Sequence, residues 1–146
     1  MTTETVSKPE NQSTEEFHRT AEAAVRTFSY VKPDMTNERR SKRVNLGRTD
    51  IIKGVAQIWK KGGETELHYH AGTDSLWIVL KGKARFYGPD NLLIGEFGPQ
   101  EGVIMPRGAR YWFENSQDED LEILQVVSYA EKGARDTGRT IIGAHS

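Results

Sequence analysis

Cysteine is absent from the 146 residues. That excludes disulfides and thiolate chemistry and leaves the compartment open. No apolar run approaches membrane-spanning length. Met1 to Glu16 is polar and mixed in charge, without the apolar centre of a signal peptide. Neither sign of charge dominates: the formal net charge is −1 and the pI about 6.4, so there is no electrostatic case for nucleic acid or an acidic membrane. Apolar residues are few, at 36% with a mean hydropathy of −0.67, low for a compact core but compatible with one domain carrying polar tails. Internal repeats and low-complexity tracts are also missing. These absences leave a cytoplasmic protein, with neither nucleic acid nor membrane as partner, as the expectation.

What is present begins with a polar stretch, Met1 to Gln12, that reads as disordered. Ser13-Thr14-Glu15-Glu16 is a capping box, and Phe17, Ala21, Ala24, Val25 and Phe28 follow at helical spacing. This predicts an amphipathic helix from about Thr14 to Phe28, ended before Pro33. Its apolar face needs cover from the rest of the domain or from a second subunit, and a homodimer is expected. The basic run Arg39-Arg40-Ser41-Lys42-Arg43 reads either as an anion or nucleotide-phosphate site or as a solvated segment. Short charge runs are commonly just exposed, and the second reading is preferred.

From Val44 the pattern changes. Ile51 to Trp59, Glu66 to His70, Ser75 to Leu80, Lys83 to Tyr87, Leu92 to Phe97, Val103 to Met105, Tyr111 to Phe113 and Leu121 to Tyr129 read as strands. Glycine and proline turns such as Gly88-Pro89-Asp90-Asn91 separate them. Short strands at regular spacing argue for an all-β sandwich or barrel. The expected organisation is a polar extension with a short helix over 1–43, the β domain over 44–131 and a polar tail over 132–146.

Within that domain, His68 and His70 sit two apart on a predicted strand, so both face one side. Gly62, His68, His70 and Gly82 fall on the fixed positions of a G-x5-H-x-H-x3–4-E-x6-G pattern, with Ser75 in place of the glutamate. Pro106, Gly108 and Asn115 fit a second pattern, P-x-G-x2-H-x3-N, with Tyr111 in place of the histidine. Two such motifs in this order resemble those of the cupin family, as a small single-domain (type-2) cupin with an incomplete metal-ligand set.

The resemblance implies a jelly-roll (double-stranded β-helix) barrel with the site inside one open end. It also implies that His68, His70 and Tyr111 occupy metal-ligand positions, so a divalent ion (Fe, Zn, Mn or Ni) is the expected cofactor. Serine is a poor ligand because its hydroxyl stays protonated, and a phenol with a pKa near 10 needs the ion itself to ionise it. Asp74 could replace the missing carboxylate if the Ala71-Gly72-Thr73 turn shifts register. Glu66 shares parity with both histidines and is a second carboxylate candidate. Gln57, polar among apolar neighbours, is a pocket candidate, as are Trp59, Ser75, Trp77 and Phe113, although the aromatics serve packing equally well. His18 and His145 lie in the tails and read as bystanders.

Three classes of function follow. One is a metal-assisted enzyme of dioxygenase, isomerase, decarboxylase or lyase type, working through His68 and His70 with Tyr111 as ligand or acid. Another is a metal-free isomerase or dehydratase, with His68 or His70 as base and Tyr111 as acid. The last is a module that only binds a small molecule.

Overall fold

The computed structural model describes residues 12–38, 40–63, 65–129 and 140–143. The expected disorder up to residue 11, Arg39 of the basic run, and most of the expected tail with His145 lie outside the described residues.

Helix α1 (Thr14–Ala23) is followed by β1 (Ser41–Arg48), β2 (Ile52–Trp59), β3 (Leu67–Tyr69), β4 (Thr73–Lys81) and β5 (Ala84–Tyr87). Then come β6 (Leu93–Phe97), β7 (Gly102–Met105), β8 (Trp112–Glu114), β9 (Leu121–Tyr129) and β10 (Thr140–Gly143). The strands form a five-stranded sheet ordered β1-β2-β9-β4-β7, a three-stranded sheet ordered β6-β5-β8, and the pair β10-β3. This is the all-β jelly roll expected, although hydrogen bonding does not close the sheets into one continuous barrel among the described residues.

Period-two alternation sets the two faces of the large sheet. Gln57 stands opposite Ile123, Gln125 opposite both Val55 and Trp77, and Ser75 opposite Val127. These residues therefore share the inner face. Trp59, Trp77, Val79, Phe86, Tyr111, Phe113, Leu121 and Ile123 build one buried cluster from both larger sheets. Its rings meet edge-on or stacked, as between Trp77 and Phe113 at 5.1 Å and Phe86 and Phe113 at 5.0 Å, which adds to the area that they bury. Gly82 ends β4 at φ 86°, where an added Cβ would lie 2.8 Å from the Asp120 carbonyl. Only glycine fits both the angle and the space.

The N-terminal helix departs from its expected length. The Ser13 hydroxyl accepts from the Glu16 N–H at 3.1 Å, so the cap is the one read from the sequence. The helix nevertheless stops at Ala23, and it buries no residue. Val25 and Phe28 are 70% and 64% exposed. A helix of ten residues without packing on its stripe is marginal, and nothing in the described chain supplies that packing.

Beyond the helix the chain runs as a strap across the outer face of β9. The Tyr30 hydroxyl donates to Glu122 at 2.7 Å, and Lys32 pairs with Asp120 at 2.8 Å. Burial, followed by the Glu122 contact, pushes the Tyr30 phenol well above its ordinary range. The hydrogen bond to Asp120 raises Lys32.

Two boundaries differ from the sequence reading. β1 begins at Ser41, so the end of the basic run is already sheet. Thr140–Gly143, within the expected tail, pairs antiparallel with β3, placing Ile141 opposite His68. Among the described residues no helix is long and apolar enough to cross a membrane.

Candidate functional site

The two motif segments lie side by side because their backbones bond directly. The Gly62 N–H donates to the Asn115 carbonyl and the Asn115 N–H to the Gly63 carbonyl, each at 2.9 Å. The Phe113 N–H donates to the Thr65 hydroxyl at 2.8 Å. His68 and Tyr111 then exchange both backbone bonds, from the His68 N–H to the Tyr111 carbonyl at 3.1 Å and back at 2.9 Å. Directly opposed residues point to one side, so the imidazole and the phenol face inward together. Gly108 holds the turn before Tyr111 at φ 83° and donates its N–H to the His70 carbonyl at 2.9 Å. Buried Asn115 is fully used: its amide nitrogen reaches the carbonyls of Trp59 and Glu119, and its oxygen accepts from the Gln117 N–H.

Inside this frame lies a cavity of about 320 Å³ lined by Arg43, Lys53, Gln57, Thr65, His68, His70, Trp77, Tyr111, Phe113, Gln125 and Val127. His68 is 3% exposed. Its Nδ1 lies 2.5 Å from the Glu66 carbonyl oxygen. A carbonyl only accepts, so Nδ1 carries the proton and the neutral ring has its lone pair on Nε2. The His68 ring centre is 4.4 Å from that of Tyr111 and 5.3 Å, nearly perpendicular, from that of His70.

A chain of buried amides crosses the inner face. The Trp59 indole donates to Gln57 at 2.9 Å, Gln57 to Gln125 at 3.3 Å, and Gln125 to the Ser75 hydroxyl at 3.2 Å. Each amide is held in one orientation by its neighbours, which makes this wall stiff. The indole N–H of Trp77 is buried without a hydrogen-bond partner among the described residues.

The structure thus brings Gln57, His68, His70, Trp77, Tyr111 and Phe113 to one cavity. Trp59 does not line it; its N–H is engaged by Gln57, and its ring packs edge-on against Phe113 at 5.4 Å. Ser75 sits instead with His70 and Tyr111 at a recess too narrow for a water molecule. The register shift that would have turned Asp74 inward does not occur. Its carboxylate accepts from the Arg107 N–H at 2.9 Å and pairs with the Arg107 side chain at 3.2 Å. The Glu66 side chain is exposed.

The metal implied by the resemblance can be tested against these donors. The carboxylate position holds a serine hydroxyl already accepting from Gln125, and the third imidazole is a phenol. Asp74 is directed to Arg107 and Glu66 to solvent. Among the described residues no group of three or more His, Cys, Asp and Glu comes together to hold an ion. The donor set does not fit the four-ligand site that the motif implies.

Lys53, Thr65, Gln125 and Val127 were not singled out from the sequence, and Arg43 only as the end of the basic run, for which the solvated reading was preferred to an anion site. Gln125 carries the signal that marked Gln57, a polar residue on the inner parity of an apolar strand. Arg43 reaches the cavity because it stands opposite Gln57 across β1 and β2.

Residues 55–127 match the family model described as "Cupin domain". No curated protein matches the sequence. Among solved structures, the chain is similar to an uncharacterized conserved protein with a double-stranded beta-helix domain from Klebsiella pneumoniae. The identity is 22% and the TM-score 0.65, over 82% of this chain and 93% of that one. It is also similar to the polyketide cyclase RemF from Streptomyces resistomycificus, at 21% identity and a TM-score of 0.61, over 77% and 80% of the two chains. KdgF from Halomonas sp. aligns at 14% identity and a TM-score of 0.60, over 71% and 94%. At these identities the likeness bears on the fold alone.

Proposed function

Because this chain belongs to the cupin family, we propose that it converts a small carbonyl compound inside the barrel by metal-free acid–base chemistry, as an isomerase or dehydratase. One observation carries the reading. The Nδ1 proton of His68 is held by the Glu66 carbonyl, and the Tyr111 phenol lies beside the same ring on the cavity wall. His68 Nε2 then takes a proton from the carbon next to the carbonyl. Tyr111 donates to the oxygen on which the charge develops. The Trp77 N–H is a second donor for the ligand, and the Gln57–Gln125 wall orients it. His70 lines the same cavity and shapes the approach to His68.

The donor set gives no support to a step through a metal. The small-molecule partner, the cytoplasmic location and the homodimer belong to the same proposal.

The test is proton–deuterium exchange into a panel of small ketones and 2-oxo acids in D₂O, followed by NMR. Exchange next to the carbonyl that falls about a hundredfold or more in His68→Gln supports the reading. Exchange that is unchanged in His68→Gln, or absent across the panel, refutes it; absence combined with ligand binding would identify a module that only binds.

A further inference from the structure

We infer that the cavity takes a small organic anion, a carboxylate, held by Arg43 and Lys53. This rests on the proposal that the cavity is the small-molecule site, and it adds the chemical class of the ligand.

Both cations reach the cavity through sheet register rather than chance. Arg43 is opposite Gln57 and Lys53 is opposite Val127, so both lie on the inner face. Lys42, next to Arg43 in sequence, belongs to the other face and pairs with Glu38 at 3.3 Å. Among the described residues, Arg43 and Lys53 make no ion pair with a carboxylate and no Asp or Glu lines the cavity. Two cations beside a pocket lined by no described carboxylate create a positive potential that an anion relieves. The guanidinium presents a planar fork of donors matched to a carboxylate, and the ammonium adds a mobile point charge.

Size and shape narrow the class. At about 320 Å³ the cavity is at the small end of ligand sites, which span roughly 300–1,000 Å³. Trp77 and Phe113 give it an aromatic wall, suited to a compact acid with a flat or apolar body. Among the described residues the walls are strands and the segments flanking them, and no helix N-terminus lines the cavity, so the usual cradle for a phosphoryl group is not found there.

The test uses the full chain, labelled with ¹⁵N. The sequence has three tryptophans, so its indole N–H signals are few, and Trp77→Phe identifies the one of interest. Benzoate, the isosteric neutral benzamide and inorganic phosphate are the probes. Benzoate is expected to move the Trp77 signal and to bind about tenfold or more tightly than benzamide. That preference should shrink with added salt. Arg43→Gln and Lys53→Gln should each remove most of it, with benzamide still bound, and Arg43→Lys should retain part of it. Equal binding of benzoate and benzamide, or a preference that survives both substitutions, overturns the anion inference alone. Phosphate binding at least as tight as benzoate overturns the carboxylate assignment. A Trp77 signal that no probe moves contradicts the cavity as a small-molecule site, and the inference with it.

Discussion

His68 and Tyr111 face each other across a narrow antiparallel pair, joined by two backbone hydrogen bonds of 3.1 and 2.9 Å, with ring centres 4.4 Å apart. The pairing belongs to the backbone, so side-chain substitutions leave the frame in place. Tyr111→Phe should therefore fold as wild type does, with a stability change on the order of 1 kcal/mol in urea titration. Exchange activity should fall about a hundredfold. Full activity in this variant would reduce the hydroxyl to a packing detail and remove Tyr111 as the acid.

The amide chain across the inner face makes a separate prediction. Gln125→Ala leaves the Gln57 amide and the Ser75 hydroxyl without their partner in a buried place. The expected cost is about 1–3 kcal/mol. Combined with Gln57→Ala, the two costs should fall short of additive, because each substitution breaks the same link. Strict additivity in a double-mutant cycle would show that the two amides do not act as one network.

The strap gives a pH dependence. Tyr30 and Lys32 both bind their protons more tightly in the folded chain than at their usual values of 10.0 and 10.5. Their contribution is complete below those values and is lost as pH rises through and beyond them. Unfolding titrations should show stability falling from about pH 10 upward. Tyr30→Phe should be less stable than wild type at neutral pH and show a shallower alkaline decline. An identical decline in the variant would remove Tyr30 from the account.

Much of the site was legible because strands have a period of two. The shared side of His68 and His70 and the pocket place of Gln57 follow from parity, and the inward position of Tyr111 from its place in the second cupin motif. Arg43 and Lys53 were not legible in the same way. Their inward direction emerges only once β1, β2 and β9 are in register, and a basic run reads as solvated until then. The helix was overextended because periodicity shows an apolar stripe but not whether anything packs against it. β10 was missed because four residues carry little pattern and their partner, β3, is distant in the chain. Trp59 has the parity of a cavity wall, yet its N–H is taken by Gln57, a tertiary fact that spacing does not contain.

The outer face of β4 and β7 is apolar where a monomer would be polar. Leu76 and Ile104 stand opposite each other there, 42% and 75% exposed. A second copy would cover them, and the homodimer belongs to the proposal on this ground. Light scattering at high micromolar concentration should give twice the mass of one chain, and Ile104→Glu should return the monomer. A wild-type monomer under those conditions would count against it.

The central claim is that this cupin works through its own base and acid rather than through a bound ion. The most direct test is the rate of deuterium exchange catalysed by protein stripped of metal and verified as metal-free by elemental analysis. The account predicts the same rate before and after stripping. A rate that vanishes on stripping and returns with a divalent ion would contradict it.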